Sequence, residues 1–187
     1  MIFLVCGVLL WWAAHLFKRL APGPRAAMSE HLGDASKGIF ALLILTSVVL
    51  AVLGYRMAEF VPVYAPPGWA VHLNNLLMLF AIALFGAGSS KGRARSLFRH
   101  PMLLGFATWA VAHLLVNGDL ASLVLFGGLL LWVPVAIWRI NSMEPAWQRP
   151  APGPPSGDLR LLVITLIIYA AVAAIHTWLG RWPFAGG

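Results

Sequence analysis

The chain has 187 residues, of which 60% are apolar and 10% charged, where a soluble domain carries about 25% charged residues. Thirteen Lys and Arg with six Asp and Glu cannot cover a water-facing surface on a chain of this size, which excludes an ordinary soluble domain and makes lipid the solvent. The net charge of +7 does not read as a nucleic-acid footprint, because the basic residues sit in short loops between apolar runs. The single cysteine, Cys6, excludes an internal disulfide and any cysteine-held zinc or iron–sulfur site.

Six apolar runs are predicted to span as helices, at about 1–17, 39–55, 68–87, 101–116, 120–138 and 159–179, each near the ~17–25 residues a crossing needs. The expected fold is an all-α polytopic membrane protein, a bundle of about six transmembrane helices forming one domain over 1–187. The first run has no basic segment before it and is followed by Lys18 and Arg19, so it reads as a retained helix rather than a cleaved signal. The second closes on Gly54-Tyr55-Arg56, and the third carries His72, Asn74 and Asn75. The fourth is short and opens at Pro101, a residue tolerated in a helix's first turn. Asp119 follows it in a tight turn, where its expected role is to cap the fifth helix. The Pro- and Gly-rich loop 145–157 predicts an extended tether. His176 lies near the end of the sixth run.

Charge placement predicts the orientation. Segments 18–38, 88–100 and 139–158 together with Arg160 hold eleven of the thirteen Lys and Arg, and the other side has only Arg56 and Arg181. This asymmetry predicts a bacterial inner-membrane protein with those segments cytoplasmic and both termini periplasmic. Trp69, Trp138, Trp178 and Trp182 fall at the predicted span ends, as an aromatic belt requires.

With polar groups so scarce, those at membrane depth are the candidate site. His15, His72, Asn74, Asn75, His113, Asn117, Asp119 and His176 all fall in or beside spans. Trp11 precedes His15 by four residues, and Trp109 stands in the same relation to His113, with Met102 and Phe106 extending that face. Two histidines beside flat aromatics on separate helices suit a planar, axially ligated cofactor such as haem. The same spacing also serves a bundle in which Trp and His simply pack together. Zinc would want three or four ligands, and a proton relay would want mid-span Asp or Glu. Neither pattern is present in the sequence. At ~1.5 Å per residue, His15 and His113 differ in predicted depth by some 15 Å. His72 and His176 share the depth of His113, so a pair formed by His113 with either is a second arrangement.

The stretch Arg99-His100-Pro101, followed by His113 within Trp109-Ala-Val-Ala-His113-Leu-Leu-Val-Asn117-Gly118-Asp119, resembles the signature of the NnrU family of integral membrane proteins. Trp11-Trp12-Ala-Ala-His15-Leu, Gly54-Tyr55-Arg56, Val71-His72-Leu-Asn-Asn and His176-Thr-Trp-Leu-Gly-Arg-Trp-Pro-Phe resemble it too. The family is named from a reading frame grouped with bacterial nitrite and nitric-oxide reductase genes. It is related to zeta-carotene isomerase of plants and cyanobacteria, a membrane haem-b enzyme acting on a 15-cis double bond. The resemblance implies haem b held by His15 and His113; the helical spacing sets Trp11, Phe106 and Trp109 beside it, and predicted depth keeps His72 and His176 as alternate ligands. It implies redox-gated isomerisation of a polyene or another lipid-soluble substrate. The isomerase carries a cysteine three residues before its second ligand, where this chain has Ala110. A non-enzymatic role in denitrification, as an assembly or electron-transfer accessory, is the alternative. The Arg-His-Pro element is also similar to membrane methyltransferases of the isoprenylcysteine type, but those need a paired glutamate motif where this chain offers only Glu144.

Overall fold

The computed structural model describes residues 1–184. The last three residues of the 1–187 domain expected from the sequence lie outside the described residues. The helices are α1 Ile2–Leu20, α2 Pro22–Leu32, α3 Ala35–Arg56, α4 Ala70–Ala87, α5 Pro101–Val116, α6 Leu120–Met143 and α7 Pro155–Trp178. All but α2 and α5 are long and apolar enough to cross a membrane. The protein is therefore all-α and polytopic, as the hydropathy predicted. Helix α5 is apolar throughout but has 16 residues, about 24 Å of helix against a hydrocarbon thickness of about 30 Å. It is bounded by Pro101 at its first position and by extended Asn117 at its end.

The sequence did not announce α2, which lies in what reads as a polar loop. It begins with Pro at its first position, none of its side chains is buried, and Leu20 and Leu32 beside it stay exposed. The chain forms two compact units, Met1–Val63 with Asp119–Pro145, and Tyr64–Gly118 with Ala146 onward.

In the first unit α1 packs along α3, with α6 against α1. Small residues permit the close approach, which is how helices associate where burial of apolar surface gives no advantage over lipid. A Cβ on Gly7 would lie 2.5 Å from the Ala51 nitrogen, and one on Gly54 would overlap the Leu4 backbone. Leu4, Val8 and Ala121 form the buried cluster, flanked by Trp12, Tyr55, Val124 and Leu125. Helix α6 is not uniform: residues Leu123–Gly127 form a π-helical turn, and Pro134 interrupts the ladder farther on. Such departures release backbone carbonyls for other donors. Here the Trp12 indole N–H donates to the Gly128 carbonyl at 3.0 Å.

In the second unit α5 and α7 both pack on α4. Ala81, Ala110 and Ala112 are fully buried, and a Cβ on Gly105 would come within 2.9 Å of the Ala81 carbonyl. The segment expected to be an extended tether is extended and is also tied down. Gly153 N–H donates to the Gly92 carbonyl at 3.0 Å, Arg149 Nε donates to the Ser96 carbonyl at 2.7 Å, and Asp158 Oδ1 accepts from Ala94 N–H at 3.0 Å. Proline and glycine pointed to an extended spacer. The glycines also let two backbones touch, with Gly153 and Gly157 lying directly on Lys91 and Gly92.

Candidate functional site

The two Trp-x-x-x-His pairs take up one local geometry, each inside its own unit. On α1 the His15 Nδ1 lies 2.9 Å from the carbonyl oxygen of Trp11, and on α5 the His113 Nδ1 lies 2.9 Å from that of Trp109. A carbonyl can only accept, so the ring proton of each neutral imidazole sits on Nδ1 and the basic lone pair on Nε2. A backbone carbonyl holding Nδ1–H is the outer-shell arrangement that orients metal-binding imidazoles. The helix supplies it without help from another element: at a spacing of four, the ring folds back over the preceding turn.

The aromatic surroundings differ. The Trp11 ring stacks on His15 with centroids 4.0 Å apart at 30°, and Trp132 of α6 meets the His15 ring edge-on at 5.2 Å and 70°. Trp132 also packs on Trp11 at 5.7 Å and is itself buried. In the second unit Trp109 tilts over His113 at 5.1 Å and 51°, Phe106 packs on Trp109 at 5.2 Å, and Phe85 of α4 meets Phe106 at 6.3 Å. Asn117 Nδ2 donates to the His113 carbonyl at 2.8 Å.

His176 repeats the geometry on α7, its Nδ1 2.8 Å from the Val172 carbonyl. His113 and His176 both belong to the second unit. His15 belongs to the first. His72 sits exposed in the first turn of α4. The donor set fits haem: imidazoles with Nε2 as the basic nitrogen, beside flat apolar rings. Among the described residues no three His, Cys, Asp or Glu side chains cluster to hold a bare metal ion.

A family model described as NnrU protein matches residues 3–183. The chain belongs to the NnrU family. No curated protein and no solved structure matches it. This NnrU protein is an integral membrane protein by the length and composition of its helices.

Two features of the NnrU chain were not singled out from the sequence. Trp132 is one apolar residue in an apolar run, and only packing distinguishes it. The other is a buried polar chain in the first unit. Asp119 Oδ1 accepts from Ser122 N–H at 3.0 Å, Asp119 Oδ2 accepts from the Ser122 hydroxyl at 2.5 Å, and the Tyr55 hydroxyl lies 2.8 Å from Ser122 Oγ. Asp119 is the N-cap of α6, as expected. The linkage of that cap to Tyr55 on α3 has no signal in the spacing of residues 67 positions apart.

Proposed function

We propose that this NnrU protein binds haem b in the inner membrane, where His113 and His15 would hold it and Trp11, Phe106 and Trp109 would form its apolar surroundings. The observation that carries the reading is the matched Nδ1–carbonyl geometry of the two Trp-x-x-x-His pairs, which leaves Nε2 as the coordinating nitrogen in both. Bound haem would supply a redox-active iron able to lower the barrier to rotation about a double bond. The chain's own residues hold each imidazole in one tautomer and, through Trp11, Trp132, Trp109 and Phe106, exclude water from it. The substrate class that suits this surface is a polyene or another lipid-soluble molecule reaching the site from the bilayer.

A second reading is favoured by one position. Ala110, three residues before His113, is fully buried, and the related isomerase has a thiol there. Without that thiol an electron-transfer or assembly role in denitrification serves the same haem with no turnover of a polyene. For the ligands, the shared unit and the matching Nδ1–carbonyl geometry of His113 and His176 support a His113–His176 pair as the alternate arrangement.

The test is the absorption spectrum of the protein purified in detergent from haem-replete cells. Low-spin bis-histidine haem gives a Soret band with sharp reduced α and β bands, and a colourless preparation overturns the proposal. His113→Ala should abolish haem retention under either pairing. His15→Ala should turn the spectrum high-spin or empty the site, while His176→Ala and His72→Ala leave it low-spin. The reverse outcome assigns the second ligand to His176 or His72.

A further inference from the structure

The first unit has an open groove of about 370 Å³ between the ends of α1 and α6 and the first turns of α2, lined by Lys18, Pro22, Arg25, Ala26, Ser29 and Met143. That volume is in the range of small-molecule sites, on the order of 300–1,000 Å³. Its lining carries two cations and no carboxylate. Glu144 pairs with Arg19 at 3.1 Å, Asp34 pairs with Lys37 at 2.7 Å, and Glu30, exposed on α2, is not part of the lining. Arg25 is held in place but not neutralised. Its guanidinium donates to the Ser29 and Ser36 hydroxyls and lies 4.9 Å over the Phe40 ring. Lys18 is exposed and has no partner among the described residues.

We propose that this groove binds the phosphate of an anionic phospholipid headgroup. Lys18 and Arg25 would meet the phosphate oxygens, and the Ser29 hydroxyl would add a donor. Position argues for a lipid over a free ion. Lys18 is in the last turn of α1 and Met143 is the last residue of α6, and both helices are apolar enough to cross a membrane, so the groove lies at headgroup level. Leu20 and Leu32, 62% and 46% exposed at the two ends of α2, offer acyl chains an apolar surface there, as an interfacial helix does. Charge argues for an anionic lipid over a zwitterionic one. A choline group would bring a third cation to a lining that has no carboxylate to receive it.

The test uses the full chain in detergent micelles, following thermal unfolding as lipid is titrated in. Dioleoylphosphatidylglycerol should stabilise it at concentrations where dioleoylphosphatidylcholine and inorganic phosphate do not. Each basic residue near an anionic headgroup contributes ~1 kcal/mol, about fivefold in affinity. Lys18→Gln should therefore shift the phosphatidylglycerol midpoint about fivefold, and Lys18→Gln with Arg25→Gln about 25-fold. Lys18→Arg should restore it, and Arg93→Gln, in the second unit, should leave it unchanged. Because Arg25 also contacts Ser36 and Phe40, the exposed Lys18 carries the decision if the double variant fails to fold. Equal stabilisation by phosphatidylcholine, or a Lys18→Gln midpoint matching the unaltered protein, overturns the site. Stabilisation by inorganic phosphate alone as strong as by phosphatidylglycerol overturns the lipid as its source.

Discussion

Two glycines on one helix should respond to the same substitution with opposite signs. Helix α3 carries Gly38, whose added Cβ would meet nothing within 4 Å, and Gly54, whose Cβ would lie 2.6 Å from the Leu4 Cα. Ordinary carbon–carbon contact is at about 3.5–4.0 Å, so α1 and α3 must part by about 1 Å to admit a methyl group at position 54. The obstacle is backbone, which cannot rotate aside as a side chain can. A gap of that size forfeits about a quarter to a half of the dispersion energy of each contact it opens, and the contacts at risk include those of the buried Leu4 and Val8. Overpacking of this kind costs about 1–3 kcal/mol, offset by the ~1 kcal/mol that Ala gains over Gly in a helix. The net expectation for Gly54→Ala is a loss of up to about 2 kcal/mol, or a fall in Tm of as much as roughly 8 °C for a chain of this length. Gly38→Ala has only the helix gain and should raise Tm by a few degrees, about 2–4 °C at most. Thermal unfolding of both variants in one detergent reads the difference directly. If Gly54→Ala is as stable as Gly38→Ala, the close packing of α1 on α3 is not what holds the first unit together.

The buried polar chain gives graded effects. Tyr55→Phe removes one hydrogen bond to Ser122 and should cost about 1 kcal/mol. Asp119→Ala removes the α6 cap together with the carboxylate acceptor of the Ser122 hydroxyl, leaving that hydroxyl only Tyr55, so it should cost about 2 kcal/mol. Chemical or thermal unfolding that ranks the two in the opposite order would show that the cap is not the anchor of the chain. Glu144→Gln should change stability by less than ~1 kcal/mol and lose even that effect in high salt, because the Glu144 side chain is 63% exposed in its pair with Arg19. A large, salt-independent loss in the same measurement would refute that. Reporter fusions after Phe184 should read as periplasmic and those within 145–157 as cytoplasmic, given the basic residues on the latter side. Two consecutive loops reporting one compartment would refute the six crossings.

The sequence by itself determined the elements that lipid demands. A helix in hydrocarbon must present apolar side chains in every direction, so α1, α3, α4, α6 and α7 are visible as runs of composition, with ends within a few residues of those observed. The Trp-x-x-x-His pairs were legible for a related reason: an imidazole bonded to the carbonyl four residues back is a property of one helix, which spacing alone can express. Tertiary structure decided the rest. Helix α2 buries none of its side chains, so neither hydropathy nor amphipathic period marks it. The 145–157 segment read as a tether because Pro and Gly suit an extended spacer, yet those glycines are where its backbone lies on Lys91 and Gly92. The edge of Trp132 on His15 and the Tyr55–Ser122–Asp119 chain join residues from different helices. A uniformly apolar helix carries no stripe to say which face turns toward which neighbour. In lipid that choice falls to small residues such as Gly7, Gly54 and Gly105 and to the few polar groups between helices, whose partners only the packed chain reveals.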